Sequence, residues 1–244
     1  MRDRRGLVLV VVFLVELASR YGASQAVYVW PVPQREQMSG PPLALAPLFA
    51  VTYVGESEIA TEAAKRYTNE FRDLLRWSSE VAPAQDIKSC FNDTLQAIEG
   101  HHLQMLRNLS LVIVSHSDKL ESYEVNESYI IRVTPEITTG VIEAHSPFGA
   151  LHGLQTFMLL VDMQNRQLPH DNITIVDTPD FPHRSLMVDT ARRFYPIPFL
   201  ERILDSMAMA KLNVLHLHLS DYARLSVESK LFPELNVGYM AGEP

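Results

Sequence analysis

Two short clusters in the last third of this 244-residue chain carry side chains with chemical potential. In the first, Asp189, Thr190, Arg192 and Arg193 follow a brief apolar run. An arginine fork can hold two oxygens of a polar ligand at once, or it can be neutralised by a neighbouring carboxylate. Arg192 therefore reads either as a ligand-binding residue or as the structural partner of Asp189. In the second cluster His216 and His218 precede Asp221. Two imidazoles at i and i+2 of a strand face the same way, a geometry that also suits a metal. A metal site needs a third and usually a fourth ligand, and none is identifiable nearby. A hydrogen-bonded interior is the better explanation for the histidine pair. Asp221 reads about equally as a wall of a site or as a turn or cap acid. Glu228 and Glu234 read as surface or loop acids, and no cofactor is called for.

The elements that must position these residues follow from hydrophobic spacing. Ser185 to Asp189 is a short apolar run ending in an acid, hence a strand. Pro196 and Pro198 suit the first turn of a helix, where a missing N–H costs nothing. Phe199, Leu200, Ile203, Leu204, Met207 and Ala210 then share one helical face. Lys211 and Asn213 punctuate, and Val214 to Leu219 alternates. Leu215, Leu217 and Leu219 face a helix layer; Val214, His216, His218 and Ser220 face a polar interior. Strand, helix and strand of this length make a βαβ unit with parallel strands. In a (β/α)₈ barrel the chemistry lies after the C-terminal ends of the strands, which is where Arg192 and Asp221 fall.

The run VDTARRFYP, then LDSMAMAKLNVLHLHLSD, resembles the opening of the catalytic barrel of family 20 glycoside hydrolases, the β-N-acetylhexosaminidases. That family shows L-D-T-S/A-R-H-Y/F-x-P, a helix, then K-L-N-x-x-H-W-H-x-x-D. The likeness covers about fifty residues, and VIEAHSPFGALHGLQTF at 141–157 is similar to the end of the family's N-terminal domain. The V-W-P-V-P-Q run at 29–34 resembles the mature start of family members. The resemblance implies hydrolysis of terminal non-reducing N-acetylglucosamine or N-acetylgalactosamine from glycans, by a substrate-assisted retaining mechanism. It implies that Arg192 binds sugar hydroxyls and that Asp221 lines the active-site wall. Arg193 stands where the family has His and receives no role. Leu217 replaces the Trp between the histidines, Tyr222 follows Asp221, and Ala223-Arg224-Leu225 replaces a Q-S-F/W-like segment. In the family an adjacent Asp-Glu pair orients the acetamido group and protonates the leaving oxygen. No Asp-Glu dipeptide occurs in the 244 residues. The expectation is therefore a chain with no catalytic residue of its own, inactive alone.

Composition frames the rest. The chain is 47% hydrophobic and 20% charged, with a formal net charge of −8. Basic residues do not cluster beyond the first five positions, which argues against nucleic-acid binding. Arg2, Arg4 and Arg5, then the apolar run Gly6–Val15, read as a secretory signal over residues 1–26. Ten apolar residues are too few to span a bilayer. Asn92, Asn108, Asn126 and Asn172 are N-x-S/T sequons, the pattern of a secreted glycoprotein. The destination is the secretory pathway: extracellular, vacuolar or lysosomal. Cys90 is the single cysteine, so no internal disulfide forms.

Residues 27–41 read as an entry loop and 57–77 as a helix with Tyr67, Phe71, Leu74 and Leu75 on its core face. Leu109–Val114, Tyr129–Val133, Val141–Ala144 and Ile173–Val176 read as strands. Ser146 and Pro147 cap a helix running to about Met163, with Gly149 and Gly153 placed for close approach to a sheet. The proline-broken TPDFPHR segment puts a boundary near residue 179. The expected fold is α/β. An N-terminal α+β sandwich over 27–178, zincin-like by resemblance, precedes the first βαβ part of an incomplete TIM barrel over 179–244. The expected partner is a glycan ending in N-acetylhexosamine, with no nucleic acid and no membrane. A homodimer, or a truncated non-catalytic isoform or subunit that binds sugar or a full-length chain, is the alternative kept open.

Overall fold

The computed structural model describes residues 29–80, 105–119, 125–220 and 227–233. The leader expected at 1–26, Cys90, Asn92, Asp221 and Glu234 lie outside them.

The architecture is mixed α/β, with a seven-stranded sheet and a separate two-stranded one. The first sheet contains β1 (Arg35–Ser39), β2 (Leu43–Tyr53), β3 (Leu106–Ile113), β4 (Tyr129–Val133), β5 (Thr139–Ala144), β6 (Gln167–Leu168) and β7 (Asn172–Asp177). Their spatial order is β1-β7-β4-β5-β3-β2-β6. The neighbours β2 and β3, and β3 and β5, run parallel; the remaining pairs are antiparallel. Two helices, α1 (Glu58–Glu80) and α2 (Pro147–Leu160), bury their apolar sides on this sheet. Phe49 of β2, Phe71 of α1 and Phe157 of α2 meet with ring centroids 5.1–5.9 Å apart. Three aromatic rings from three elements thus close the core.

The helix boundaries follow local chemistry. The Ser146 side chain accepts from Gly149 N–H, and Pro147 occupies the first turn of α2. At the start of α1, Ser57 Oγ accepts the Ala60 N–H, and Asp118 reaches in from beyond β3 to accept Glu58 and Ile59 N–H. Tyr67 and Phe71 are buried, as their spacing predicts; the side chains of Leu74 and Leu75 lie outside the described ones.

One expectation needs correction, and one strand was not foreseen. Residues 27–41 are not simply an entry loop, because Arg35–Ser39 pairs with β7 along its whole length as an edge strand. Only Met38 of its side chains is apolar and packs against the core, so it shows no apolar alternation. The strand β2 was not expected, because Pro47 interrupts it. The register against β3 breaks between Leu45 and Ala50, around that proline, which cannot donate to a ladder. Thr68 of α1 bonds both the N–H and C=O of Val51, 2.9 and 3.2 Å, just beyond the break.

The second sheet is β8 (Ser185–Asp189) beside β9 (Val214–His218), parallel and in register from Ser185↔Val214 to Asp189↔His218. The helix α3 (Ile197–Met209) connects them. Strand, helix and strand appear as the spacing predicts. Val188 and Met207 are buried. By contrast Phe194 is 86% and Ile197 72% exposed, and Leu186, Met187, Leu204 and Leu217 also face outward.

The close approach of α2 to the sheet gives a direct test. A Cβ on Gly149 would sit 2.6 Å from the Ser128 carbonyl oxygen, a backbone atom that cannot swing aside. Gly149→Ala should cost about 1–3 kcal/mol through overpacking, read as a lower urea midpoint. An unchanged midpoint would contradict this packing.

Candidate functional site

At the C-terminal ends of β8 and β9, Asp189 is the centre of a small polar cluster. One carboxylate oxygen, Oδ1, accepts the backbone N–H of Ala191 at 3.0 Å and of Arg192 at 3.2 Å. His218 Nδ1 lies 3.3 Å from the same oxygen. The other oxygen, Oδ2, accepts Arg192 Nη1 at 2.9 Å. The hydrogen bond from His218, then those from the Arg192 and Ala191 backbone and the guanidinium, hold the Asp189 carboxyl down at about 2. The loop is tied a second time, since the His218 carbonyl accepts Thr190 and Ala191 N–H.

Of its two readings, the structure shows for Arg192 the pairing with Asp189. It forms the ion pair with Asp189, and 65% of its side chain is still exposed at the strand ends. Pairing and ligand contact are compatible in a group with five N–H donors. Arg193 and His216 are exposed. His218 joins Asp189, so its partner is a carboxylate of the neighbouring strand. Asp221 lies outside the described residues, and Glu228 is an exposed acid as expected. Among the sequons, Asn126 and Asn172 are exposed, whereas Asn108 is half-buried within β3. Among the described residues no group of three or more His, Cys, Asp or Glu is arranged to hold a metal.

Behind this cluster lies a seam that sequence reasoning missed. Lys211, 6% exposed, sends its ammonium into the seven-stranded sheet. Nζ donates to Tyr129 Oη at 2.7 Å and to Asp177 Oδ2 at 3.0 Å. Tyr129 donates to the same Asp177 oxygen at 2.7 Å. With its single proton committed there, Tyr129 accepts from Thr156 Oγ1 at 2.7 Å. Burial pushes the Tyr129 phenol up and the Lys211 ammonium down. Burial also acts to raise Asp177, but the Tyr129 hydrogen bond and the Lys211 charge outweigh it and hold the carboxyl below its usual range. A second link runs through Arg184, which donates to Glu127 Oε2 at 2.5 Å and to the carbonyls of Lys211 and Phe181, both at 2.7 Å. His152 Nε2 lies 3.5 Å from Glu127 Oε1. Burial would raise Glu127, yet His152 and Arg184 hold it low. Asn213 completes the seam: its Oδ1 accepts Arg184 N–H, and its Nδ2 donates to the Pro182 carbonyl.

The sequence did hold one signal for this. Lys211 has φ 56° just after α3, where glycine is usual. Its N–H bonds Ala208 O, and Leu212 N–H bonds Met207 O, the paired bonds of a Schellman motif. A lysine at that position costs backbone energy, and its side chain goes to a buried carboxylate.

Residues 29–160, more than half of the chain, match a family model described as beta-acetyl hexosaminidase like. Residues 181–241 match the catalytic domain of glycosyl hydrolase family 20. Beta-hexosaminidase 3 of Arabidopsis thaliana is 29% identical over 94% of this chain and 42% of its own length. The Homo sapiens beta-hexosaminidase subunit beta is 30% identical over 85% of the chain and 36% of its own. A Flavobacterium johnsoniae chitobiase structure superposes with a TM-score of 0.61 at 25% identity, covering 86% of this chain and 30% of that one. A Bacteroides fragilis β-N-acetylhexosaminidase shares the fold with a TM-score of 0.58 at 21% identity, covering 90% and 39%. The chain belongs to glycosyl hydrolase family 20, and it spans less than half the length of these relatives.

The seam generates a stability prediction. Lys211→Met leaves Asp177 buried without its cation, a loss of about 3–5 kcal/mol. Asp177 and Glu127 have lowered folded values, so their contribution is complete above the unfolded carboxylate range, about pH 4. It is lost as pH falls through the folded values. Urea midpoints from pH 7 down to pH 2 should therefore decline in the wild type. In Lys211→Met they should start lower and decline less. An identical acid limb in both proteins would contradict the pairing.

Proposed function

We propose that this chain is part of a β-N-acetylhexosaminidase that removes terminal non-reducing N-acetylglucosamine or N-acetylgalactosamine from glycans. The observation that carries the proposal is Arg192, exposed at the C-terminal end of β8 on a carboxylate anchor. Parallel β8 and β9 joined by α3 support a reading of residues 179–244 as the start of a (β/α)₈ barrel. Residues 27–178 then form the N-terminal, zincin-like domain, with the boundary near residue 179. Arg192 holds hydroxyls of the terminal sugar, and Asp221 is a polar group of the active-site wall.

The reaction is substrate-assisted and retaining. The acetamido oxygen of the substrate attacks C1 and the bond to the leaving oxygen breaks. One acid protonates that oxygen while a neighbouring carboxylate orients the acetamido group. Those two acids are an adjacent Asp-Glu pair, which residues 1–244 do not contain. They come from other polypeptide, and the apolar side chains exposed around α3 favour a state in which such polypeptide covers them. That same exposure favours a second reading, a non-catalytic isoform or subunit docked on a full-length partner. The basic start with the apolar run Gly6–Val15, and the exposed sequons Asn126 and Asn172, support passage through the secretory pathway to the cell exterior, a vacuole or a lysosome.

The purified 244-residue chain should not hydrolyse 4-nitrophenyl N-acetyl-β-glucosaminide. Measurable release of nitrophenol would overturn the placement of the catalytic acids. Where these residues are joined to the Asp-Glu pair, Arg192→Ala should lower kcat/KM roughly ten- to hundredfold. That is the loss of a charge-assisted hydrogen bond worth about 1.5–3 kcal/mol. Co-purification with a longer chain would favour the second reading.

A further inference from the structure

The carboxylate that holds Arg192 is itself held from the next strand. Asp189 and His218 are register partners in a parallel pair, so their side chains leave the same face at the same level. Asp189 is ionised and can only accept, so the 3.3 Å contact requires the proton on His218 Nδ1. The Oδ1 atom then receives three donors: two backbone N–H groups and the imidazole. Oδ2 receives Arg192 Nη1. The backbone bonds alone would close the turn after β8. They would not fix the carboxylate plane against rotation, which is what sets the direction of the guanidinium.

We infer that His218 and Asp189 are positioning residues for Arg192, with His218 fixing the carboxylate and the carboxylate aiming the guanidinium at the strand ends. This rests on the proposed sugar-binding role of Arg192. A guanidinium fixed before the ligand arrives loses less entropy on binding than a mobile one. It also explains why the second histidine of H-x-H sits where it does: its work is done one strand away, through a carboxylate. His216, with its exposed ring position, has no such partner in β8, since its register neighbour is Met187.

The test uses the ¹⁵N-labelled 244-residue chain. The wild type should show the Nδ1-protonated tautomer of His218 and slow solvent exchange of the Arg192 Nη1 protons. Asp189→Asn keeps an acceptor for the turn but loses the charge, and Arg192 exchange should rise roughly tenfold, the loss of about one hydrogen bond. His218→Leu should produce a similar rise. His218→Asn, whose amide nitrogen can occupy the place of Nδ1, should restore slow exchange. If His218→Leu leaves Arg192 exchange unchanged, or His218→Asn fails to restore it, the positioning role is overturned. Titration with N-acetylglucosamine separates this from the parent reading. In the wild type the sugar should perturb Arg192 resonances, several-fold more weakly in His218→Leu, and Arg192→Ala should abolish the sugar response. A sugar that leaves Arg192 unperturbed, with the exchange pattern intact, overturns the sugar-binding role alone. Sugar binding at Arg192 that is indifferent to His218→Leu overturns the positioning role alone.

Discussion

The buried ammonium of Lys211 is the constraint on which the arrangement of this chain depends. Taking an ammonium out of water costs several kcal/mol unless its charge and protons find partners. Here the partners belong to the other sheet: Asp177 at the end of β7, and Tyr129 of β4 behind it. The charge also lies 5.0 Å from the centre of the Tyr129 ring. Among the described residues no buried side-chain polar atom lacks a partner. A network in that state rigidifies what it joins, since any displacement leaves a charge uncompensated. The turn after α3 holds Lys211 in a left-handed conformation, and from there its ammonium reaches Tyr129 and Asp177.

Arg184 adds direction to this anchor. It enters β8 with its N–H on Asn213 and its guanidinium spread over Glu127 and the carbonyls of Lys211 and Phe181. The start of β8 and the approach to β9 are thereby held together and both held to the seven-stranded sheet. The register that follows brings Asp189 opposite His218 at the far end of the strands. Lysine and asparagine of the K-L-N motif therefore act at the seam, while Asp189 and Arg192 of the D-T-x-R motif act at the strand ends. Two motifs that lie close in sequence serve opposite ends of one small parallel sheet. The proposed sugar contact at Arg192 inherits its position from both.

Much of this was legible without coordinates. The βαβ unit was visible because Leu215 and Leu217 alternate with His216 and His218, and because Phe199 to Met207 repeat at helical spacing. The strand Tyr129–Val133 and the cap at Ser146-Pro147 were visible for the same local reasons. The strand β1 was not, because an exposed edge needs no apolar alternation. Nor was β2, because Pro47 breaks the pattern of a strand that in space simply breaks register there.

What the sequence determined by itself is local or carried by motif: periodicity, capping, family membership, and the place of Arg192 just after a strand. Each depends on residues within a turn or a strand of one another, or on a fixed order of types. Only the tertiary structure decided where the charges go. Lys211 and Asp177 are 34 residues apart, and Arg184 and Glu127 are 57 apart. No spacing rule links such residues, because their pairing exists only once two sheets have set the distance between them. Asp189 and His218 depend on folding in the same way, since a parallel register is a property of two strands and not of either one.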